Sequence, residues 1–488
     1  MLAPLVSCSN NQTDDGGNET DNSATTTLSE NVETVEETTE EDILAELMAD
    51  VPKDDYAEYD FVMLNNTSNF ALTAMTAEEI TGEAINDAIY NRNIKVAEDL
   101  NVKIAEELVA YDVVTKNINT AIAAGDDTYD CFWNESTMVA PIAIAGNLLN
   151  VHEIAPINLE KPWWNGEALK DIEVGGYQYF LVGDLHLMFK ESFWMVGFNK
   201  NIIDENGLED PYQTVREGTW TLDEMKKYMS TVAMDLNGDG VMDGNDRFGV
   251  TCYNGCVTAL FTGCDGEFVV RDSEGIPQFV DVDDKFNAIY EKIVATMFDP
   301  STNYTCMDGK TQNIAQYTDG WHGVFSSGHA LFYLEPIGSL KKLRDMDAEF
   351  GIIPYPKFDE SQSDYHTYIA CYAALCGIPI TAEDPARTGT ILENLCAQSY
   401  GELRSAYIDT TLNFKYIRDV ESSEMLNLIL STGRFCLSDQ LGVNGPKDTF
   451  ISNVTTGAAT LTSSYAKIMK ASTKNLEKNV KKLMKIAD

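Results

Sequence analysis

The sequence predicts an α/β fold built from two lobes, and three observations lead to this prediction. The chain has 488 residues, more than a single hydrophobic core usually serves. Apolar residues make up 44% of it, which is enough to fill two cores. Short apolar runs alternate with amphipathic stretches after residue 58, and a second such unit begins near Phe193. Strands that alternate with helices are typical of parallel sheets.

The N-terminal segment has the composition of a tether. Between Ser9 and Glu58 the chain carries 16 acidic residues and a single basic one, Lys53. Such a segment cannot bury enough apolar surface to fold, so we expect residues 9–57 to be disordered. The four residues before it, Leu5-Val6-Ser7-Cys8, resemble a bacterial lipobox, in which the cysteine is lipidated. Residues 1–8 are therefore predicted to be the remnant of a lipoprotein signal, with an ordinary disordered N-terminus as the alternative.

The first unit after the tether predicts a parallel βαβαβ arrangement. Its predicted elements are a strand at Tyr59–Asn66, a helix at 82–101, a strand at 102–108, a helix at 115–125 and a strand at 129–136. Ligands of such sheets bind beyond the carboxyl ends of the strands. The residues at these ends, and hence the candidate ligand contacts, are Asn65, Asn66, Trp133, Asn134 and Glu135.

The second unit contains a stretch typical of a calcium loop, Asp235 to Gly249. Gly240 lies at the sixth position, where the chain must turn sharply. The predicted ligands of Ca2+ are Asp235, Asn237, Asp239, Val241, Asp243 and Asp246. A helix with a capping box at Thr221 and Glu224 precedes the loop, but the residues after it read as a strand. Because the second helix of an EF-hand is missing, we expect the ion to be structural.

Four segments together resemble a known family. In chain order they are "FNKNIIDENGLEDPYQTVREGTWTLDEM", "DLNGDGVMDGNDRFG", "SSGHALFYLEPIGSLKKLRDMDAEFGIIPYPKFDESQSDY" and "CGIPITAEDPARTGTILENL". They are similar to the extracellular solute-binding proteins of bacterial ABC importers, in particular to carbohydrate-type lipoproteins distantly related to maltose-binding protein. The resemblance extends over nearly everything after about residue 57.

The resemblance implies a two-lobed, periplasmic-binding-protein-like (type II) fold with hinge strands between the lobes. Crossings are expected near Leu185–Trp194, Tyr368–Gly377 and Lys415–Met425. Lobe 1 would then combine residues 58–190 and 374–425, and lobe 2 residues 191–373 and 426–488. It also implies a small carbohydrate ligand between the lobes, ABC permease transmembrane subunits as partners, a monomer, and a lipid-anchored location at the outer face of the cytoplasmic membrane, with Cys8 as the only attachment.

Aromatic and carboxylate side chains suit a sugar site, because sugars offer flat C–H faces and hydroxyl rims. Trp163 and Trp164 are adjacent in a loop, where two indoles cannot easily both be buried, so at least one is expected to line the cleft. The family resemblance adds Trp321, Tyr333 and Glu335 from the second lobe. A charged pair that follows the tryptophan in maltose-binding protein is replaced here by Asn134-Glu135-Ser136, so the ligand need not resemble maltose.

Several function classes are disfavoured. A net charge of −44 repels nucleic acid and anionic membrane faces. We find no GxSxG, HExxH or Walker A motif, and the five histidines are too scattered for a transition-metal site. The nine cysteines after Cys8 have no paired spacing and are predicted to be mostly buried thiols. The alternatives to a non-enzymatic sugar-binding protein are a secreted glycoside hydrolase, a dockerin-like protein, or the same scaffold with a peptide ligand.

Overall fold

A computed structural model describes residues 40–68, 71–297, 299, 303–305, 320–408, 419–458 and 460–485. The chain divides into two units, Met1–Glu46 and Leu47–Asp488. Of the first unit the structure describes only 40–46, the beginning of a helix. The second unit contains all the strands that the structure describes.

The strands of the described residues are β1 Tyr59–Asn66, β2 Val102–Val109, β3 Cys131–Glu135, β4 Trp194–Asn199, β5 Phe248–Cys252, β6 Val269–Arg271, β7 Pro277–Phe279, β8 Asn303–Thr305, β9 Ala330–Pro336, β10 Phe350–Ile353, β11 Thr367–Ile369, β12 Ala374–Gly377 and β13 Gly433–Phe435. The helices are α1 Glu40–Met48, α2 Ala84–Leu100, α3 Tyr111–Ala124, α4 Ser136–Ile144, α5 Gly166–Lys170, α6 Leu187–Glu191, α7 Lys200–Asn206, α8 Pro211–Arg216, α9 Leu222–Val232, α10 Cys256–Gly263, α11 Asp284–Met297, α12 Gly320–Ser326, α13 Pro385–Gln398, α14 Val420–Ser431, α15 Leu437–Gln440, α16 Gly445–Thr455 and α17 Thr462–Leu483.

The first sheet has the strand order β12-β3-β1-β2. Its β1, β2 and β3 are parallel, and β12 runs antiparallel to β3. The helices α2 and α3 connect the parallel strands, which confirms the predicted βαβαβ arrangement. Helix α2 buries Ile89, Val96 and Leu100 and ends at Asn101 in the left-handed conformation. The carboxyl ends of β1 and β3 therefore lie at one edge of this sheet.

The second sheet has the order β10-β4-β9-β5-β8. Strand β4 pairs antiparallel with both β9 and β10, whereas β5 is parallel to β9 and β8. Helix α9 packs beside β5, and the predicted cap is present, because Thr221 Oγ1 accepts a hydrogen bond from the backbone N–H of Glu224 at 3.3 Å. Trp220 is fully buried against Phe332 of β9, as expected for a core residue.

Three segments connect the two sheets, and we call them the crossing segments: 192–194, 367–373 and 433–435. The first two run antiparallel, with Phe193 bridged to Ile369 and the N–H of Ala370 donating to the carbonyl of Ser192 at 2.9 Å. The third is β13, which pairs in parallel with β11. The crossings expected near Leu185–Trp194 and Tyr368–Gly377 correspond to the first two segments.

The predicted tether is wrong over its last residues. Residues 47–57 belong to the second unit, where Val51 is buried and the N–H of Tyr56 donates to the carbonyl of Leu100 at 2.9 Å. Asn394 also donates its side-chain amide to the carbonyl of Pro52 at 2.7 Å. The acidic average composition of the whole segment concealed these few apolar residues. Residues 1–39, including Cys8, lie outside the described residues.

The lobe boundaries stay a prediction, but the packing of residues 419–425 disagrees with the lobe predicted for them. Residues 419–425 were assigned to lobe 1, yet α14 packs on β10 of the second sheet. Asp419 accepts hydrogen bonds from Tyr212 at 3.1–3.2 Å and pairs with Lys200. The third predicted crossing, Lys415–Met425, lies partly outside the described residues, and the chain has already reached the second sheet at Asp419.

The cysteines of the described residues are free thiols. Six are buried and two, Cys371 and Cys436, are half-buried, which confirms the prediction of mostly buried thiols. No helix in the described part of the chain is long and apolar enough to cross a membrane.

Candidate functional site

The end of β3 brings an aromatic ring and a carboxylate to the edge of the first sheet. Trp133 is 3% exposed and its ring stacks on His186, with ring centroids 6.3 Å apart. Glu135, two residues on, is half-buried, and its carboxylate accepts no hydrogen bond from the described residues. Burial raises the pKa of the Glu135 carboxyl. This carboxyl group is thus available to a ligand.

The end of β9 supplies a matching group from the second sheet. Trp321 donates its indole N–H to Glu335 Oε1 at 2.8 Å, and the Ser339 hydroxyl donates to Oε2 at 2.9 Å. Glu335 is 3% exposed, and burial raises the pKa of its carboxyl to about 8. Trp321 remains half-buried, so part of its ring stays accessible. The aromatic face and the carboxyl are held in a fixed relation by one hydrogen bond.

The crossing segments contribute an aromatic residue near the end of β9. Tyr372 is half-buried, although burial raises the pKa of its phenol well above the ordinary value, with Tyr253 and Glu335 as further causes. Its partial exposure makes Tyr372 a candidate ligand contact. The first sheet reaches the same segment, because the N–H of Ser136 donates to the carbonyl of Ala373 at 3.0 Å.

We call the candidate ligand contacts the cleft residues below; they are Trp133, Glu135, Trp321, Glu335, Tyr372 and Tyr253. Tyr253 follows β5, and its ring lies 5.6 Å from Trp321 and 5.5 Å from Trp194 between centroids. The sequence analysis missed Tyr253 and Tyr372. Tyr253 directly follows the end of β5. The rule that selects residues at strand ends could therefore have found it.

Glu191 is a further buried carboxyl near the cleft residues that the sequence analysis missed. It ends α6 and accepts a hydrogen bond from the backbone N–H of Leu72 at 2.7 Å. Burial raises the pKa of its carboxyl to about 7, although the positive charge of Lys341 acts in the opposite direction. No local pattern in the sequence distinguishes this glutamate from an exposed one.

The three predicted asparagines are buried, and hydrogen bonds hold the side-chain amides of Asn65 and Asn134. Asn65 is buried and donates to the carbonyl of Thr73 and to Glu106, both at 2.7 Å. Its side-chain oxygen therefore accepts from His186 Nε2 at 3.1 Å, and the pKa of this imidazole is lowered to about 3 by burial. Asn65 thereby positions the ring on which Trp133 stacks.

The other two asparagines are buried as well. Asn134 donates to the carbonyl of Tyr111 at 2.8 Å and to the hydroxyl of Thr115 at 3.1 Å, so it fastens α3 to β3. Asn66 Oδ1 and His186 Nδ1 are buried without a hydrogen-bond partner among the described residues. Buried polar atoms normally have partners, so this part of the first sheet has unused hydrogen-bonding capacity.

The expectation for Trp163 and Trp164 is wrong, because both indoles are buried. One carboxylate satisfies both of them: Trp163 donates to Glu393 Oε1 at 2.9 Å, and Trp164 donates to Oε2 at 2.7 Å. Tyr333 is likewise a core residue, stacked on Phe325 at 5.0 Å with its hydroxyl bonded to His322. These contacts give the three residues structural roles, and a part for them in ligand binding stays a prediction.

The predicted calcium loop is folded around its own amides. Asp235 accepts hydrogen bonds from the N–H groups of Gly238 and Gly240 at 2.7 and 2.8 Å, which lowers the pKa of its carboxyl. Asp246 accepts hydrogen bonds from the N–H groups of Leu236 and Asp243 at 2.9 and 2.8 Å. Its oxygen ligands suit Ca2+ chemically. However, no three His, Cys, Asp or Glu side chains within the described ranges are gathered closely enough to hold a metal. Calcium binding therefore stays a prediction.

Comparison with solved structures identifies the fold. The chain is similar to the ABC substrate-binding protein Lmo0181 from Listeria monocytogenes in complex with cycloalternan, at 15% identity and a TM-score of 0.52, over 88% of this chain and 100% of that one. It is similar to the GacH receptor of Streptomyces glaucescens, studied with acarbose, at 13% identity and a TM-score of 0.53, over 88% and 100%. A third is UgpB from Mycobacterium tuberculosis in complex with glycerophosphocholine, at 15% and 0.54, over 87% and 99%.

These likenesses confirm the predicted two-lobed, periplasmic-binding-protein-like α/β fold. At such low identities they show the fold alone, and the ligands of the three proteins differ in chemistry. No protein-family profile matches the chain, and no curated protein matches it by sequence.

Proposed function

We propose that this chain is the substrate-binding protein of a bacterial ABC importer and that it captures a small carbohydrate between its two sheets. The observation that carries the proposal is the arrangement of the cleft residues. The first sheet contributes Trp133 and Glu135 of β3, and beside the second sheet Trp321 of α12 donates a hydrogen bond to Glu335 of β9. Tyr372 of the crossing segments lies near enough to Glu335 for the two groups to interact electrostatically.

The chemistry of these groups suits a sugar. A pyranose ring presents C–H faces that pack on indole and phenol rings, and its hydroxyl groups both donate and accept hydrogen bonds. Glu335, with a pKa of about 8, is largely protonated near neutral pH, so its carboxyl group can donate as well as accept. Because the ligand would touch both sheets, binding would favour a closed arrangement of the lobes. No catalytic step is needed for this function.

The proposed partners are the transmembrane subunits of an ABC permease, to which the closed protein delivers its ligand. The strongly negative charge disfavours nucleic acid as a partner. We further propose that Cys8 carries the lipid that holds the protein at the outer face of the cytoplasmic membrane, where it works as a monomer. The composition of residues 9–39 supports a spacer between this lipid and the second unit.

A titration of the full chain with a panel of oligosaccharides tests the proposal. We expect at least one to bind, and Trp321→Ala to weaken that binding by about ten- to a hundredfold, because the stacking surface and the hydrogen bond to Glu335 are lost. Tyr177→Ala is the matched control, since Tyr177 is a half-buried aromatic residue stacked on Tyr179 instead of on a cleft residue. Its affinity should equal that of the wild type.

Three results would contradict the proposal. The first is that no sugar of the panel binds, and the second is that both variants bind as tightly as the wild type. The third is turnover of a bound oligosaccharide that Glu135→Gln or Glu335→Gln abolishes, which would make the protein a glycoside hydrolase. Binding of a peptide without any sugar would retain the importer function and change the ligand.

A further inference from the structure

A cavity lies beside the β6–β7 hairpin and β13. It has a volume of about 220 Å³ and is lined by no cleft residue. The turn after α10 contributes Asp265 and Glu267, β6 contributes Arg271, and β13 contributes Arg434. Asp171, from the loop after α5, closes the wall. The cavity thus collects charged groups from three separate parts of the chain.

Hydrogen bonds fix the walls of this cavity. Arg271 donates to the carbonyls of Asp171 and of Glu173, the latter at 3.0 Å. The N–H of Phe435 donates to Asp171 Oδ2 at 3.1 Å. These bonds join the β6–β7 hairpin and β13 to the loop after α5. The cavity is therefore a built feature of the fold and not a gap between loosely placed side chains.

Two charged groups in the cavity wall have unused hydrogen-bonding capacity. Glu267 is exposed to solvent, and its carboxylate accepts no hydrogen bond from the described residues. Partial desolvation and the negative charges of Asp265 and Asp171 raise the pKa of this carboxyl. The Arg434 guanidinium has one contact, at 3.5 Å to Asp171 Oδ1, so most of its five N–H groups have no partner among the described residues. The cavity therefore offers an acceptor and a donor of opposite charge.

The acidic and basic groups occupy different parts of the cavity wall. Asp265 and Glu267 follow the C-terminus of α10, which attracts positive charge. Asp265 is also held at a φ of 57°, a left-handed conformation that is uncommon for residues other than glycine. Arg434 marks the positive end, and Phe268, Phe435 and Leu437 provide apolar surface. A volume of about 220 Å³ suits a small molecule.

We propose that this cavity binds an α-amino acid with an aliphatic side chain. Its ammonium group would face Glu267, because Asp265 already pairs with Lys285 at 2.7 Å and with His366 at 3.3 Å. Its carboxylate would face the Arg434 guanidinium, and its side chain would lie on the apolar surface. The site is separate from the cleft residues and does not depend on the identity of the proposed sugar.

L-Leucine is the probe, and two analogues separate its charges: leucinamide lacks the carboxylate and 4-methylpentanoate lacks the ammonium group. In titrations of the full chain, leucine binds, and each analogue binds at least about tenfold more weakly, since a charged hydrogen-bonding partner is lost in each. Glu267→Gln and Arg434→Gln weaken leucine binding by a similar factor. Glu274→Gln, a change to an exposed carboxylate on the same hairpin, leaves it unchanged.

The proposal is overturned if leucine does not bind at about 10 mM, a concentration that detects even weak ligands. It is also overturned if leucine and its analogues bind equally, or if leucine binding survives both Glu267→Gln and Arg434→Gln. Loss of leucine binding in Trp321→Ala with full binding in Glu267→Gln would place the ligand among the cleft residues and equally contradict it. Sugar binding is measured separately in each variant, so failure of one proposal leaves the other intact.

Discussion

Replacement of Glu335 by glutamine should stabilise the protein at high pH and have little effect at low pH. The folded-state pKa of this carboxyl is about 8, against an ordinary value of 4.5, because burial disfavours its charged form. Protonation therefore favours the folded state: the contribution of Glu335 is fully present below pH 4.5 and is lost as the pH rises to 8. At about 1.4 kcal/mol for each pH unit, this difference sets an upper limit of about 5 kcal/mol.

Glutamine retains the shape of the protonated acid, and it can still accept from Trp321 through its oxygen and bond to Ser339 through its amide. We expect Glu335→Gln to be more stable than the wild type by about 2 to 5 kcal/mol at pH 8.5 and by less than about 1 kcal/mol at pH 5. Urea unfolding at a series of pH values measures this difference.

The matched control is Glu349→Gln, in which an exposed glutamate beside β10 is changed in the same way. Its stability should follow that of the wild type at every pH. The carboxyl of Glu191, with a pKa of about 7, adds its own slope to all three proteins, so only the difference between variants is interpreted. A constant difference between Glu335→Gln and the wild type from pH 5 to 8.5 would refute the burial argument.

Three further predictions follow from other parts of the chain. Glu393→Gln should lower the free energy of unfolding by about 2 to 3 kcal/mol in urea titrations, because one of the two indoles then faces an amide N–H instead of an oxygen; a loss below about 0.5 kcal/mol would contradict this. A calcium chelator should lower the melting temperature without changing sugar affinity, and Asp235→Asn should remove this response; equal sensitivity in the variant would mean that the loop is not the binding site. Cys8→Ser, made with a complete signal peptide, should release the protein into the medium, whereas retention at the cell surface would argue against a lipid anchor.

The first sheet could be predicted from the sequence because its signals are local. The strand at Tyr59–Asn66 was predicted at its observed bounds, and the alternation of apolar runs with helical periodicity gave the parallel order. The same rule, that ligands meet the ends of strands, selected Trp133 and Glu135. The helix before the predicted calcium loop could also be predicted from local signals, since its cap and its buried face both lie within Thr221–Val232.

The rest of the site depended on contacts between residues far apart in the chain. Trp163 and Trp164 look like exposed loop residues until Glu393, about 230 residues later, accepts a hydrogen bond from each indole. Asn134 looks like a ligand contact until Tyr111 and Thr115 use its amide. The hydrogen-bond partners of such side chains lie far away in the sequence, and no local pattern reveals them. Reasoning from the sequence therefore overestimates how many polar and aromatic residues are free to contact a ligand.

The buried thiols carry a consequence for how the protein can be studied. Cys131 and Cys376 lie in the first sheet, Cys252 lies in the second, and Cys256 begins α10 four residues later. A thiol reagent reaches such a group only during the moments when the surrounding structure opens. Because buried cysteines are present in both sheets, the rates at which a thiol reagent labels them report which half of the molecule opens first. No cysteine has to be introduced as a probe.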